Sequence, residues 1–433
     1  MSRPPFQIDD TSSPRVTRAW VLHPEIKSNP DRRLADHALA EAVSLARALP
    51  ELEVVGSEVV PLKTARAGML FGSGKIDEIK ARLHDEEIEL VLVDGPVSPV
   101  QQRNLEKVWG VKLLDRTGLI LEIFSDRAAT REGVLQVEMA ALSYQRTRLV
   151  RAWTHLERQR GGLGFVGGPG ETQIEADRRA IDEQLTRLRR QLDKVVKTRT
   201  LHRAARAKVP YPIVALVGYT NAGKSTLFNR LTGAKVMAKD MLFATLDPTM
   251  RRLQLPDGPE VILSDTVGFI SDLPTELVAA FRATLEEVLA ADVICHVRDI
   301  SHPETEEQSS DVAAIMASLG VEEDRPSFEV WNKLDVLPEA EADAMRTRAD
   351  RDERVFAISA LTGEGIDGLL AAITETLQGA KREALLSLGF ADGKKRAWLY
   401  AQDLVQSETQ TDTGFEITVR WTAQQEARYQ TLH

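Results

Sequence analysis

The chain has 433 residues, enough for two to four domains, and its 43% hydrophobic and 28% charged residues are ordinary for a globular protein. It contains no run of 18 apolar residues and begins without the apolar core of a signal peptide, so we expect neither a membrane span nor secretion. A single cysteine, Cys295, excludes an intrachain disulfide and a cysteine-based metal site, and the net charge of −10 does not mark the whole chain as a nucleic-acid-binding protein.

The N-terminal part shows an α/β pattern. A helix is predicted over residues 35–48, and the short apolar runs 89–93 and 111–114 are typical of parallel strands with a helix over 99–108 between them. Asp94 follows the first of these strands. We interpret it as a helix cap or turn residue, because the sequence places no base, nucleophile or metal cluster beside it.

Residues 72–75, Gly-Ser-Gly-Lys, resemble the end of a phosphate-binding loop. However, Met69 stands where the first glycine would be, and Ile76 replaces the hydroxyl that binds Mg²⁺. A turn ahead of a helix over residues 76–83 is the preferred interpretation. A second nucleotide site in the N-terminal domain stays open as the alternative.

Two long amphipathic helices are predicted next. Apolar residues recur at steps of three, four or seven, first between residues 135 and 156 and again between residues 174 and 195. The glycine-rich segment 161–170 separates them and is incompatible with regular structure. The pattern predicts an antiparallel helical hairpin with a flexible tip.

The hairpin is locally basic within an acidic chain. Nine Lys and Arg residues and one Asp lie between residues 187 and 208, and five arginines lie between residues 146 and 160. Two interpretations remain open on charge alone: a solvated helix face, or a surface for a phosphate-rich partner.

The strongest motif is a phosphate-binding loop. An apolar run at 212–217 predicts a strand, the loop follows, and a helix is predicted from residue 226. Glycines permit the tight turn that points backbone N–H groups at phosphates, while Lys224 is expected to reach the β- and γ-phosphates and Ser225 to coordinate Mg²⁺. The residues assigned to the phosphates are Gly218, Tyr219, Thr220, Asn221, Ala222, Gly223, Lys224 and Ser225.

Two later segments are expected to surround the γ-phosphate. The first is Phe243, Ala244, Thr245, Leu246 and Asp247, in which the Thr245 hydroxyl would close on Mg²⁺ only when the γ-phosphate is present. A strand over residues 260–264 delivers the second, which is Asp265, Thr266, Val267 and Gly268. We therefore assign the metal to Ser225, Thr245 and Asp265, and the catalytic contacts to Lys224, Thr245 and Gly268.

Guanine recognition is predicted at the ends of two further strands. The strand over residues 327–331 ends in Asn332, Lys333, Leu334 and Asp335. The Asp335 carboxylate would accept hydrogen bonds from guanine N1–H and N2–H₂, a donor pair that adenine lacks, while Lys333 would cover the base and Asn332 would tie this loop to the phosphate loop. A strand over residues 355–358 leads to Ser359, Ala360 and Leu361, where the Ala360 N–H would meet guanine O6.

These motifs resemble the five G motifs of the Ras-like GTPases over residues 208–378. The resemblance implies a mainly parallel six-stranded sheet with helices on both faces, with ligands at the carboxyl ends of the strands. Ras-like enzymes commonly place a glutamine after Gly268 to orient the attacking water, and this chain has Phe269 there. We therefore expect slow hydrolysis by the protein alone, completed by another residue or by a bound partner.

The whole chain resembles the HflX family of ribosome-associated GTPases. The matching segments are residues 71–79, 101–106, 115–120, 167–173 and 243–249. The resemblance implies a cytoplasmic, Mg²⁺-dependent GTPase that converts GTP to GDP and phosphate and binds the large ribosomal subunit, with hydrolysis stimulated by the ribosome. It further implies that the N-terminal domain and hairpin approach ribosomal RNA, in ribosome splitting, rescue or biogenesis. We expect a monomer when free, with no DNA partner and no stable membrane insertion.

The predicted fold class is α/β and multidomain. It comprises an N-terminal α/β domain (1–130), the helical hairpin (131–207), a Ras-like P-loop G domain (208–378) and a small α+β C-terminal domain (379–433). In the last of these, residues 396–401 and 415–421 have strand character. The alternative function is a GTPase switch that gates a protein partner or a membrane-associated complex, with the hairpin as a protein-binding arm.

Overall fold

The fold is taken from a computed structural model of the chain. The structure describes residues 16–28, 33–159, 169–206, 211–234, 242–243, 249–271, 288–321, 325–378, 382–390, 392–402, 404–411, 413–421, 426 and 429–430.

The N-terminal domain is a four-stranded parallel sheet with its helices in the connections, as the α/β pattern predicts. Two strands, β1 and β2, were not predicted; each contains a proline, which weakens the strand pattern in the sequence. The strand order is β2-β1-β3-β4. The elements are β1 (Thr17–Ile26), α1 (Ala35–Arg47), β2 (Leu52–Leu62), α2 (Ser73–Asp85), β3 (Leu90–Val93), α3 (Pro99–Trp109), β4 (Lys112–Asp115) and α4 (Arg116–Arg127).

The Gly-Ser-Gly-Lys segment forms a turn ahead of a helix, as predicted, since α2 begins at Ser73. The Lys75 ammonium donates to Glu58 at 3.0 Å and to Glu78 at 2.9 Å. These two carboxylates neutralise the Lys75 ammonium, which is the cation that a phosphate bound here would require.

The two long helices are confirmed as an antiparallel pair, α5 (Arg131–Gln159) and α6 (Pro169–Arg206). Gln184 Nε2 donates to Glu138 Oε1 at 3.3 Å, and Arg146 pairs with Asp182 at 2.9 Å, so residue numbers rise on one helix as they fall on the other. The last two residues of the predicted loop belong to α6, because proline is well suited to the first turn of a helix. Residues 161–168 lie outside the described part.

The G domain contains the predicted six-stranded sheet, in the order β10-β9-β8-β5-β7-β6, with only β6 antiparallel to its neighbour. Alternate residues of β5 face opposite sides. Val214 and Leu216 pack with the core beneath α7 and α10, while Ala215 and Val217 pack in a core that includes Val312 of α8. The elements are β5 (Ile213–Val217), α7 (Lys224–Thr232), β6 (Thr249–Gln254), β7 (Glu260–Asp265), β8 (Val293–Asp299), α8 (Thr305–Ser318), β9 (Ser327–Asn332), α9 (Glu339–Ala349), β10 (Val355–Ala357) and α10 (Ile366–Gln378).

The single thiol lies inside this sheet, as predicted. Cys295 on β8 is 0% exposed, and burial raises its pKa to about 12. It is therefore a packing residue of the strand.

The described part of the C-terminal region contains a three-stranded antiparallel sheet, in the order β11-β13-β12, and a helix over Gly393–Ala401. The strand predicted over residues 415–421 is confirmed, but that over residues 396–401 is wrong, because those residues belong to a helix. Aromatic residues favour strands in isolation, whereas here burial of Leu399 against the sheet decides the conformation. The elements are β11 (Arg382–Gly389), α11 (Gly393–Ala401), β12 (Val405–Thr411) and β13 (Gly414–Trp421). Within the described residues, none of the helices has the length and apolar character required to traverse a bilayer.

Candidate nucleotide site

The phosphate loop connects β5 to α7 and depends on two glycines. Gly223 has a φ of 95°, which favours glycine, and a Cβ there would lie 2.1 Å from Asn332 Nδ2. A Cβ on Gly218 would lie 2.1 Å from the carbonyl oxygen of Val297. The loop therefore packs against the ends of β8 and β9 so closely that a side chain at either position is excluded.

Lys224 begins α7 and lies under this loop. Its ammonium donates to the carbonyl oxygens of Gly218 at 3.0 Å and Tyr219 at 2.8 Å, and the residue is 6% exposed. Burial lowers the pKa of Lys224 to about 8, although the charge of Asp265 opposes this shift. A buried cation with neutral acceptors is well suited to an anionic ligand such as a phosphate.

Ser225 and Asp265, which were both assigned to the metal, are in contact in the structure. Ser225 Oγ donates to Asp265 Oδ2 at 2.7 Å, which places a hydroxyl oxygen and a carboxylate oxygen beside the phosphate loop. Such hard oxygen ligands fit Mg²⁺, which is held by one or two protein oxygens together with phosphates and waters. The described residues contain no cluster of three or more His, Cys, Asp or Glu side chains that could hold a metal ion.

The segment after β7 lies directly on the phosphate loop. Thr266 Oγ1 donates to the carbonyl oxygen of Leu216 at 2.7 Å, and Thr220 N donates to the carbonyl oxygen of Phe269 at 2.7 Å. A Cβ on Gly268 would lie 3.1 Å from Lys224 Nζ. Gly268 is thus next to the cation, while the Phe269 side chain is buried in the apolar core at 2% exposure.

The loop at residues 332–335, which we call the guanine loop after its predicted role, meets the phosphate loop at one side-chain amide. Asn332 Nδ2 donates to the carbonyl oxygen of Ala222 at 2.8 Å, and Asn332 Oδ1 accepts from Ala360 N at 2.9 Å. A guanine O6 contact with the Ala360 N–H would therefore have to share or replace that bond. Sequence reasoning anticipated the first contact and not the second.

The other predicted guanine-site residues surround this amide. Ser359 Oγ donates to Asp335 Oδ1 at 2.5 Å, and Lys333 Nζ pairs with Asp299 Oδ2 at 2.7 Å. Leu334 is buried beneath the loop, whereas Leu361 is 69% exposed. The structure therefore brings the residues predicted on two separate strands to one edge of the sheet.

Of the segment predicted to close on the γ-phosphate, residues 243–247, the structure describes only Phe243. Phe243 packs edge-on against Phe124 of α4, with ring centroids 4.7 Å apart, and is 2% exposed. Its side chain therefore contacts the N-terminal domain. Ala244, Thr245, Leu246 and Asp247 lie outside the described residues.

A buried polar cluster between the domains was not foreseen from the sequence. The Tyr219 hydroxyl hydrogen-bonds to Glu41 of α1, and Arg116 of α4 pairs with Glu41 and, at 2.6 Å, with Asp94. Arg116 also donates to the carbonyl oxygen of Ser271 at 2.9 Å. Burial acts to raise the pKa of Glu41, but the charges of Arg116 and Arg33 hold it below its usual value.

Asp94 lies in a bend after β3, as a turn residue would, but its side chain has a role that the sequence did not show. Its carboxylate is buried and also bonds to His23 Nδ1 at 2.8 Å, so it compensates the charge of Arg116. Apart from Arg33 and Glu41, which are 8 residues apart, the partners in this cluster are 22 to 178 residues apart, so local spacing could not have revealed the contact between the domains.

Four known protein-domain families together match most of the chain. Residues 36–125 match the family described as GTP-binding GTPase N-terminal, and residues 127–206 match the GTP-binding GTPase Middle Region. Residues 213–333 match the family described as 50S ribosome-binding GTPase, and residues 344–431 match the HflX C-terminal domain.

Relatives are similar over nearly their full lengths. The chain is 49% identical to a protein named GTPase HflX from Magnetococcus marinus, over 90% of this chain and 88% of the relative. It is 42% identical to GTPase HflX from Escherichia coli, over 89% of each. Among solved structures, a GTP-binding protein from Sulfolobus solfataricus in complex with GDP aligns with a TM-score of 0.45 at 22% identity, over 83% of this chain and 98% of that one.

Proposed function

Because the chain belongs to the HflX family of GTPases and hydrolyses GTP, we propose that it is a cytoplasmic, Mg²⁺-dependent switch that binds the large ribosomal subunit in a nucleotide-controlled way. Ribosome splitting, rescue and biogenesis all fall within this proposal. The observation that carries it is the match of residues 213–333, which hold the phosphate loop, Gly268 and the first two residues of the guanine loop, to the family of 50S ribosome-binding GTPases.

The site residues have distinct roles in this proposal. The backbone of residues 218–225 and the Lys224 ammonium bind the phosphates, with Asp335, Lys333 and the loop at 359–361 binding guanine. Ser225, Thr245 and Asp265 would hold Mg²⁺, which supplies charge neutralisation at the β- and γ-phosphates when bound. Attack of water on the γ-phosphorus breaks its bond to the bridging oxygen, and Lys224, Thr245 and Gly268 stabilise the γ-phosphoryl group.

The position after Gly268 makes the isolated protein a slow enzyme in this proposal. Phe269 carries no hydrogen-bonding group and its ring is buried, so it cannot orient the attacking water. A group from elsewhere has to supply that function, and the ribosome would bring it. Stimulation of hydrolysis by the large subunit is the expected result.

The hairpin supplies the proposed contact with ribosomal RNA, together with the N-terminal domain. Leu185 and Leu188 of α6 are buried, while cations on the remaining surface of the same helix are exposed. Exposed cations on a helix held at one side attract phosphates and make binding sensitive to salt. Among the described side chains of α6, the exposed cations are Arg178, Arg179, Arg187, Arg189, Arg190, Lys194 and Lys197.

Cosedimentation with purified ribosomal subunits tests the proposal. We expect the large subunit to bind the protein more tightly with a non-hydrolysable GTP analogue than with GDP. Absence of binding in both states would overturn the proposal. Changing Arg187 and Arg190 to alanine should weaken binding and flatten its salt dependence, whereas the matched double change of Arg351 and Lys394, both exposed outside the hairpin, should leave both unchanged.

A further inference from the structure

The carboxyl edge of the N-terminal sheet faces the G domain. In parallel α/β sheets, ligands bind outside the carboxyl ends of the strands. Asp94 follows β3 and Arg116 follows β4 at that edge, where the two side chains pair. Arg116 also donates a hydrogen bond across the domain boundary to Ser271 of the G domain. The place where such a sheet commonly holds a small ligand is therefore used to hold a segment of the same chain.

Tyr219 and Ser271 form the G-domain side of this contact. The Tyr219 hydroxyl is bonded to Glu41, lies 2.9 Å from Ser271 Oγ and accepts from Ser271 N at 2.8 Å. Ser271 Oγ also donates to Asp311 of α8 at 2.7 Å. Both residues are buried, so these bonds are shielded from water.

Along the chain, Tyr219 and Ser271 lie close to the two glycines of the segments that are assigned to the γ-phosphate, Gly218 and Gly268. Tyr219 follows Gly218 in the phosphate loop, and Ser271 lies three residues after Gly268. The intervening backbone is paired, because Phe269 N donates to the carbonyl oxygen of Gly218 at 3.1 Å and Thr220 N donates back to Phe269. The Gly268 N–H itself has no acceptor among the residues that the structure describes.

We propose that Glu41 and Arg116 are positioning residues that act through Tyr219 and Ser271 to hold the Gly268 N–H ready for the γ-phosphate. The N-terminal domain thereby sets how strongly the G domain prefers GTP to GDP. GDP has no γ-phosphate and does not use this N–H. Loss of the contacts from Glu41 and Arg116 to Tyr219 and Ser271 therefore weakens the binding of GTP alone. The inference rests on the proposed assignment of Lys224 and Gly268 to the γ-phosphate.

Glu41→Gln in the full chain tests this, with a fluorescent GDP and a fluorescent non-hydrolysable GTP analogue as probes. The substitution keeps the shape of the side chain and removes the charge that faces Arg116. We expect the affinity for the GTP analogue to fall about 5-fold or more while the affinity for GDP stays the same. An equal loss for both nucleotides, or no loss for either, overturns the inference.

Glu58→Gln is the matched control. Glu58 is a carboxylate of the same domain that pairs with Lys75 and Arg82 and has no G-domain partner among the described residues. Both affinities should match those of the wild type. A selective loss of GTP-analogue affinity in this variant would show a general effect of domain stability and would contradict the inference.

A double-mutant cycle with Tyr219→Phe checks the route. If Glu41 acts through the Tyr219 hydroxyl, the ratio of GDP to GTP-analogue dissociation constants in the double variant equals that in either single variant. If the two substitutions instead change this ratio by independent factors that multiply in the double variant, Glu41 does not act through the Tyr219 hydroxyl. Wild-type protein that binds neither nucleotide would instead refute the proposed site, which keeps the two failures distinct.

Discussion

Asn332 is joined to Ala222 by a hydrogen bond of 2.8 Å from the side-chain amide to the backbone carbonyl. The loop that is proposed to read the base is thereby fixed to the loop that is proposed to bind the phosphates. The same side chain accepts from the Ala360 N–H, so three loops share one amide. Both partner atoms lie in buried residues.

Replacing Asn332 with alanine should weaken GDP and GTP-analogue binding together. The change leaves the Ala222 carbonyl and the Ala360 N–H without their partner, at a cost of about 1–3 kcal/mol each to the arrangement of the three loops. Because nucleotide binds only this arrangement, a lower population of it predicts about 10-fold weaker binding of both nucleotides. Equilibrium titration measures this. Asn104→Ala removes a similar amide-to-carbonyl bond, to Gly68 in the N-terminal domain, and should leave both affinities unchanged.

Lys224→Ala and Lys75→Ala should have opposite outcomes, although both lysines follow a glycine-rich segment. Lys224→Ala removes the buried ammonium of the phosphate loop and should abolish triphosphate binding. Lys75 is held by Glu58 and Glu78, so its replacement should leave one nucleotide bound per chain. Stoichiometry by calorimetry decides between one site and two, and a fall from two to one in Lys75→Ala would establish a second site.

Nucleotide affinity should decrease above about pH 8. In the free protein burial lowers the pKa of Lys224 to about 8, and negative phosphates restore it toward its ordinary value. Binding above that pH therefore takes up a proton, and the affinity falls as the pH rises. GDP titrations from about pH 7 to pH 9, in buffers of different ionisation enthalpy, measure the uptake. A flat profile would show that Lys224 stays charged throughout.

Asp335→Asn should reduce selectivity for guanine. The carboxylate that accepts from two guanine donors becomes an amide, so a charge-assisted pair is lost, an effect of several kcal/mol or about 100-fold and more in affinity. Competition between GDP and ADP measures it, with Asp343→Asn, an exposed carboxylate of α9, as the control. If ADP competes as well as GDP with the wild-type protein, Asp335 does not read the base.

The elements around the nucleotide could be predicted because their constraints are local. Gly223 has to be glycine for its own φ and for the approach of Asn332, and both requirements leave a trace in the sequence. The Glu41–Tyr219 contact spans 178 residues and uses ordinary residue types, so it becomes visible only when the two domains are docked. Residues 396–401 fall between these cases, since packing of Leu399 overrides a short local pattern.

Asp115 and Arg116 are consecutive, yet they face different parts of the molecule. Arg116 reaches Ser271 in the G domain, while the Asp115 carboxylate accepts from Tyr144 and Arg148 of α5, at 2.5 and 2.9 Å. A single peptide bond joins the two residues, so a shift of the backbone at Arg116 is transmitted to Asp115. Arg148 lies 11 residues before Gln159, the last residue of α5, so about 16 Å of the helix extends beyond this contact, and a tilt of about 5° there would move the end of the helix by about 1.4 Å. The backbone of two adjacent residues therefore connects the segment after Gly268 to the first helix of the hairpin, which gives the nucleotide site a short link to the hairpin.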